Sequence, residues 1–473
     1  MLARAARLRQ LSETDRDILR LANHPQFDRW LQQITATGGC AHPIHLSGTT
    51  TTRDALTGEV LHHYDTADEP YERLSVRCRN RRATVCPSCS RLHAGDTYHL
   101  VRAGLMGGKN IPTGVRQHPR LFITLTAPSF GAVHRAATAE RPICRPHRRA
   151  VSCEHGRPTS CREVHDDPTD PRPGQPLCPG CYDYTAHVLW HAHAGRLWKA
   201  FTDNLYHHLA AQAGQGRTAL RRSVRISYAK VAEYQRRAAV HVHAVLRADG
   251  AGGAEDLPPS WVDAPGLADA VRTAAAVVRL TVPYARGLGE YELRWGAQLD
   301  ARPLRAATGH DALTDDAVAA YVAKYVTKGA ADTGAGTDHP VRSQEDIAAA
   351  AVCPHVRALM AACWRLGGLA ELEHLRLREW AHSLGYRGHI LTKSRRYSTT
   401  YAALRSDRAD HTSGETEAGV SGPDAVTEAA WRYVGSGHTP GAAQLAAGIA
   451  EDLARSRHLY AEAQADREWG RQW

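Results

Sequence analysis

Lysine is scarce in this chain. Of its 59 basic residues only six are lysine (Lys109, Lys199, Lys230, Lys324, Lys328 and Lys393) and the other 53 are arginine. A chain that uses arginine wherever a generic cation serves keeps lysine for places that want a compact ammonium. Two of the six fall in one eight-residue segment, 321–328, and so stand out. Apolar runs are short, none approaching the ~20 residues of a membrane span, so no membrane association is expected. The basic opening segment MLARAARLRQLSETDRD leads into no apolar stretch of the secretory type, and a cytoplasmic protein is expected. No GxxxxGK[ST] loop occurs; GLMGGKN near residue 107 lacks the spacing, which argues against an ATP-driven motor. No internal repeat is present.

What is there points to a globular protein. The chain has 473 residues, 43% hydrophobic and 23% charged. That length suggests about three domains and needs no disulfide to complete a core. The net charge of +10 favours a polyanionic partner, with nucleic acid first. Eleven cysteines, an odd number without an export signal, favour metal over disulfides. Cys86 and Cys89 form a CPSC knuckle which, with Cys78 and Cys40 upstream, makes a closed thiolate set of the structural zinc type. A second knuckle, CPGC at Cys178 and Cys181, ends a Pro/Gly-dense stretch that also holds Cys144, His147, Cys153, His155, Cys161 and His165. Its upstream ligands are open; the favoured set is Cys153, Cys161, Cys178 and Cys181, for two zinc sites in all. A metal would explain how so core-poor a segment folds.

Two segments carry chemistry. Residues 239–247, AVHVHAVLR, read as a strand with His241, His243 and Val245 on one face and Val240, Val242, Ala244 and Leu246 on the other. The aliphatic face belongs in a core, and the two imidazoles project together. If a three-residue turn, Arg236–Ala238, joins this strand to VAEYQ before it, Glu233 falls opposite His241 and Gln235 opposite Ala239. Glu233, Gln235, His241 and His243 would suit Mg²⁺ or Mn²⁺ as metal donors, with positions left for phosphate oxygens. Residues 314–328, TDDAVAAYVAKYVTK, read as a helix with Thr314 as N-cap and Gly329 as stop. Ala319, Val322, Ala323 and Val326 form one stripe, and Tyr321, Lys324, Tyr325 and Lys328 another, nearly opposite. Core tyrosines would share the valine stripe. These share theirs with two of the six lysines, as nucleophiles that attack a phosphodiester would.

Elsewhere, residues 1–35 read as helical, with Leu8, Leu11, Ile18, Leu19 and Ala22 on one face and Leu21 off it; 120–127 as a strand; 185–213 as a helix; 222–234 as a strand; 266–281 as an Ala-rich helix; and 290–300 as a strand. Residues 329–343 and 405–424 read as loops or linkers and the tail from 425 as helical. GHILTKSRRYS at 388–398 sets Lys393, Arg395, Arg396 and Tyr397 in a basic stretch suited to a DNA backbone, and RTALRRSVR at 217–225 is a second such candidate.

These motifs resemble those of the HUH endonucleases, most closely the two-tyrosine rolling-circle replication initiators of actinobacterial plasmids and integrative elements. FITLT at 122–126 is similar to the family's first motif, HVH at 241–243 to its metal-binding motif, and YVAKYVTK at 321–328 to its two-tyrosine motif. Glu233 has the spacing of the acidic third ligand. NRRATVCPSCSRLHAGDTY (80–98), LFITLTAPSFGAVHR (121–135), GQPLCPGCYDYTAHVLW (174–190), WGAQLD (295–300) and GYRGHILTKSRRYS (385–398) resemble the actinobacterial subgroup, so the likeness spans about 40–400. The wide separation of the first two motifs departs from the pattern and requires the sheet to tolerate an excursion.

The resemblance implies an α+β fold, with an antiparallel sheet flanked by helices and the His pair on a central strand. It implies strand-specific nicking at origin DNA, single-stranded or supercoiled, through a 5′-phosphotyrosine intermediate, then strand closure, with a host helicase and single-strand-binding protein as partners. The expected organisation is a helical segment 1–35, a Cys-rich zinc module 36–95, a nuclease core 115–330 with a Cys-rich insertion 141–181, a basic DNA-contact region 345–404, a linker 405–424 and a helical tail 425–473. Two other readings compete. One is a transposase or relaxase with the same chemistry. The other is a non-enzymatic zinc-bearing DNA-binding regulator, which needs neither tyrosine.

Overall fold

The computed structural model of the chain describes residues 11–147, 151–304, 314–328, 334, 336–337, 339–416 and 425–469. Leu8, Gly329 and the 417–424 part of the expected linker lie outside them. In chain order the elements are α1 (Glu13–Ala22), α2 (Phe27–Ala36), β1 (Ile44–Asp54), β2 (Val60–Asp65), β3 (Leu74–Val76), α3 (Pro87–Met106), β4 (Arg120–Leu125), α4 (Tyr184–Gln212), α5 (Arg217–Ser223), β5 (Arg225–Tyr234), β6 (Val240–Asp249), α6 (Ala264–Ala276), β7 (Leu280–Ala285), β8 (Gly289–Leu293), β9 (Leu299–Pro303), α7 (Asp315–Val326), α8 (Gln344–Ala349), α9 (Pro354–Leu366), β10 (Leu391–Lys393), α10 (Tyr401–Thr416), β11 (Ala425–Ser436) and α11 (Pro440–Trp469). The fold is mixed α+β with antiparallel sheets. No described helix is long and apolar enough to cross a membrane.

The chain divides into two compact units, Met1–Asp96 with Tyr401–Trp473, and Thr97–Thr400. In the first, β1 pairs antiparallel with β11, β2 and β3. Beside this sheet Leu21, Trp30 and Ile34 pack on Ala442 and Ala446 of α11. Three expectations are corrected here. Leu21 is the buried apolar residue of α1 and Leu19 is exposed, because the inward face is set by α11: buried Asp17 accepts the Gly441 N–H at 2.9 Å, at the start of that helix. Residues 425–436 are a strand rather than helix, since the β-branched run of β1 offers them a ladder. The expected linker at 405–424 is helical as far as Thr416.

The second unit holds a five-stranded antiparallel sheet in the order β10-β5-β6-β4-β9, with β6 at its centre. Alternation sorts its side chains. Val240, Val242, Ala244, Leu246, Leu121, Ile123 and Leu125 join one core with Leu197, Phe201 and Leu205 of α4 and Leu267, Val271 and Ala274 of α6. That burial drives the packing, at roughly 1.5–3 kcal/mol for each large side chain. The opposite face is polar at both ends. Glu233, His241 and His243 lie at one end, and at the other a buried network in which Asp249 meets His118 Nδ1 at 2.8 Å, Arg247 Nε at 2.6 Å and the Ser227 hydroxyl at 2.6 Å. The expected strand at 290–300 is the end of the β7–β8 hairpin followed by a separate strand, β9.

Tyr397 is fully buried, its ring against Gly104 of α3 and its hydroxyl donating to the Val101 carbonyl at 3.0 Å. A Cβ at position 104 would stand 2.3 Å from that ring. Gly104→Ala is therefore expected to destabilise the protein by about 1–3 kcal/mol through overpacking, measured as a lower urea midpoint.

Candidate metal and tyrosine site

The short β5–β6 connection sets the site. Gln235 N–H donates to the Ala239 carbonyl at 2.9 Å, which closes the three-residue turn and places Glu233 opposite His241. Glu233 Oε2 then lies 2.9 Å from His241 Nε2 and 3.2 Å from His243 Nε2. The two imidazole centroids are 4.3 Å apart. Burial alone would raise the Glu233 pKa, but the hydrogen bonds from both histidines overcome it and hold the carboxylate at about 2. Burial keeps His243 below the ordinary histidine value. An ionised carboxylate and neutral imidazole are the ligand forms of these groups.

The far nitrogens of both rings are engaged. His243 Nδ1 lies 3.0 Å from Thr124 Oγ1, a hydroxyl that would accept the Nδ1 proton when Nε2 turns its lone pair to a metal. Gln235 lies 3.4 Å from His241 Nδ1, and its amide oxygen accepts from Arg237 Nε at 2.9 Å. Expected among the metal donors, Gln235 sits instead on the far side of His241 and orients the ring. Phe122 stacks on His243 with centroids 5.7 Å apart. Thr124 and Phe122 belong to the FITLT segment, and period-two alternation along RLFITL sets both on the face opposite Leu121, Ile123 and Leu125.

Helix α7 brings the tyrosines to this cluster. Thr314 Oγ1 caps it by accepting the Ala317 N–H at 3.1 Å. Asp315 and Asp316 suit the positive end of the helix and also anchor it. Asp315 accepts from buried Arg120 at 2.7 Å, and Asp316 from Arg102 at 2.7 Å and Tyr98 at 2.9 Å. Val318, Ala319, Val322, Ala323 and Val326 are buried. Tyr321 and Tyr325 lie on the other stripe with ring centroids 4.6 Å apart, and the Tyr321 hydroxyl is 3.1 Å from His243 Nε2. Phe122 meets Tyr321 edge-on at 5.6 Å. Burial, then Tyr325 and the charge of Glu233, push the Tyr321 phenol well up. Lys328 Nζ lies 4.9 Å and Lys324 Nζ 6.0 Å from the Tyr325 ring centroid.

Among the described residues four groups of side chains could hold a metal ion, with ligand atoms within 4.8 Å of one another. One is Glu233, His241 and His243. A second is Cys40, Cys78, Cys86 and Cys89, with Cys40 Sγ 3.8 Å from Cys86 Sγ and 3.6 Å from Cys89 Sγ. These are close to the ~3.8 Å edges of a tetrahedron with ~2.3 Å zinc–sulfur bonds. The expected second cysteine set is regrouped. Cys153, Cys178 and Cys181 stand with His155, while Cys161 stands with His134, Cys144 and His165. The excursion folds back on itself, so Cys153 and Cys161 join different groups.

The basic stretch 388–398 is also sorted by burial. Tyr397 belongs to the core. Lys393 donates to the carbonyls of Ser394, Arg395 and Ser398, the last at 2.9 Å, and so ties its own turn. Arg395 and Arg396 are exposed and line a cleft of about 350 Å³ with Tyr206, Arg225, Ile226, Ser227 and Ser394. The two basic segments singled out in the sequence thus meet, at the end of β5 away from Glu233.

A family model of replication initiator proteins, that of pSAM2 (RepSA), matches residues 26–451. A replication initiator protein of Streptomyces ambofaciens is 46% identical over 460 residues, 95% of each chain. No solved structure matches the chain. The match to the family model across nearly the whole chain, together with this relative, places the chain in the pSAM2 family of plasmid replication initiator proteins.

Proposed function

We propose that this replication initiator starts rolling-circle copying of its plasmid by nicking one strand of the origin with a tyrosine. The observation that carries the proposal is the Tyr321 hydroxyl 3.1 Å from His243 Nε2, on the rim of the three-donor cluster. Glu233, His241 and His243 fit Mn²⁺ or Mg²⁺, which would draw charge from the scissile phosphate and keep positions open for its oxygens. The Tyr321 oxygen bonds to phosphorus as the bond from phosphorus to the 3′ oxygen breaks. This leaves a 5′-phosphotyrosine and, after proton uptake, a free 3′-OH primer. Since burial holds Tyr321 as a phenol, its proton departs as the bond forms. Lys324 and Lys328 flank Tyr325 and balance phosphate charge there. Tyr325 supplies the second nucleophile for strand rejoining.

Arg225, Arg395 and Arg396 would hold the backbone of flanking origin DNA. Arg225 is eight residues from Glu233 along β5, or about 26 Å in an extended strand, too far to touch the scissile phosphate. Cys40, Cys78, Cys86 and Cys89 would hold one structural zinc, and Cys153, His155, Cys178 and Cys181 another. A host helicase and single-strand-binding protein would extend the nick, in the cytoplasm.

The test is a covalent-adduct assay. Protein is incubated with Mn²⁺ or Mg²⁺ and single-stranded oligonucleotides tiled across the DNA flanking its gene, then run on a denaturing gel. A metal-dependent shifted band is expected, absent in Tyr321→Phe/Tyr325→Phe and in His241→Ala. Tight DNA binding with no adduct on any oligonucleotide would overturn the nickase in favour of a non-enzymatic DNA-binding regulator.

A further inference from the structure

We infer a third structural zinc site, a Cys2His2 set of His134, Cys144, Cys161 and His165, at the root of the long excursion between β4 and α4. The inference stands on this segment alone and does not depend on the nicking chemistry.

The excursion needs an organising element. Between Leu125 and Tyr184 the described residues form no strand or α-helix, only isolated bridges and a three-residue turn of 3-10 helix at Pro179–Cys181. The apolar core takes in Val133 and Tyr182, and no described side chain between them. A segment without a core of its own folds on some other energy, and bound metal supplies it.

The four donors have the geometry of a closed tetrahedron. His134 Nδ1 lies 3.2 Å from His165 Nε2 and 3.8 Å from Cys144 Sγ, and Cys161 Sγ lies 3.6 Å from His165 Nε2. Zinc bonds of ~2.0–2.1 Å to nitrogen and ~2.3 Å to sulfur give edges of about 3.4 Å between nitrogens and about 3.6 Å between nitrogen and sulfur. Cys144 and His165 are 1% exposed, so neither is placed for solvent.

The surroundings fit a metal-bound histidine. His165 Nδ1 lies 2.7 Å from Asp170 Oδ2. Asp170 is fixed in turn by the backbone N–H of Arg172 at 2.9 Å and by its guanidinium, Nη2 at 2.9 Å. A carboxylate on one ring nitrogen sets the tautomer that offers the other to a metal. The Arg135 N–H points at Cys144 Sγ at 3.2 Å, a donor for a thiolate. Two thiolates and two imidazoles with no open position select zinc of the structural kind.

The site's position gives it a task. His134 exchanges backbone hydrogen bonds with the returning limb, donating to Gln175 at 2.8 Å and accepting from Gly174 at 2.9 Å. Gly174, at φ +97, lies so close to the β5–β6 turn that a Cβ there would be 2.2 Å from the Arg236 carbonyl oxygen. The clamp fastens the two limbs of the excursion where they press on that turn, one residue beyond Gln235.

The experiment is zinc content of the full-length protein, by plasma mass spectrometry after gel filtration in a weak chelator. Cys144→Ser and Cys161→Ser are each expected to carry one zinc fewer than wild type, and proteases to cut within 134–176. Asp170→Asn keeps all four ligands and serves if the cysteine variants do not fold. It is expected to lose the same single zinc at 10- to 100-fold lower chelator concentration. Wild-type zinc content and wild-type chelator resistance in Asp170→Asn and in every folded cysteine variant would overturn the site.

Discussion

Tyr321→Phe is expected to stop first-strand cleavage, lowering single-turnover nicking of an origin oligonucleotide by roughly 10³-fold or more, the scale on which loss of a nucleophile is felt. Tyr325→Phe is expected to keep the first cleavage and lose rejoining. The difference follows from position. The Tyr321 hydroxyl is the one at 3.1 Å from His243 Nε2, whereas Tyr325 stands toward Lys328. Phenylalanine keeps the ring contacts to Phe122 and His243, so the helix stays seated and the loss is chemical. A rapid-quench gel with 5′- and 3′-labelled strands separates the two steps. Cleavage that survives in Tyr321→Phe and disappears in Tyr325→Phe would reverse the assignment.

Asp249→Ala is expected to destabilise the protein by about 3–5 kcal/mol, as removal of one partner from a buried ion pair does. Asp249 and Arg247 are both fully buried, and Arg247 also donates to the Gly104 carbonyl. Without the carboxylate, the guanidinium, His118 and the Ser227 hydroxyl lose a shared acceptor. The loss is a large part of the 5–15 kcal/mol that usually separates folded from unfolded chains. Urea unfolding measures it, with Asp269→Ala as a control on an exposed pair to Arg272 worth under about 1 kcal/mol. The network also sets a pH dependence. Burial would raise the Asp249 pKa, yet the bonds from His118 and Arg247 pull it below the ordinary value. A folded value below the unfolded one contributes stability that is full above the ordinary carboxylate range. It is lost as pH falls through that range to the lowered value. Wild type should therefore lose stability in acid more steeply than Asp249→Ala.

Legible in the sequence is whatever depends on local period. The His-bearing strand, its partner, their turn and the tyrosine helix each declare themselves within about fifteen residues, because alternation and the helical stripe are properties of a short window. What depended on distant partners was hidden. Leu21 rather than Leu19 turns inward because α11 lies there, more than 400 residues on. β11 exists because β1 offers it a ladder, which the Ala-containing sequence AVTEAAWRYVGS does not announce. Tyr397 reads as part of a DNA-facing patch, since a basic stretch does not show which members face Gly104. The second cysteine set is regrouped for the same reason, while Cys40, Cys78, Cys86 and Cys89 stand together as expected. His134 lies upstream of the Cys-rich segment 141–181, so spacing alone does not pair it with Cys144, Cys161 and His165.

The pairing of β1 with β11 also orders events on the ribosome. Residues 44–54 and 425–436 form adjacent strands, so the unit of Met1–Asp96 and Tyr401–Trp473 waits for its second half. The intervening Thr97–Thr400 unit can close first. At about 5–20 residues per second, β1 stays without that partner for roughly 20–80 s after it is made. An exposed strand edge held open that long is a template for wrong pairing. A message cut short before residue 425 would leave it open permanently, so only a chain read through β11 can complete the unit that carries Cys40, Cys78, Cys86 and Cys89.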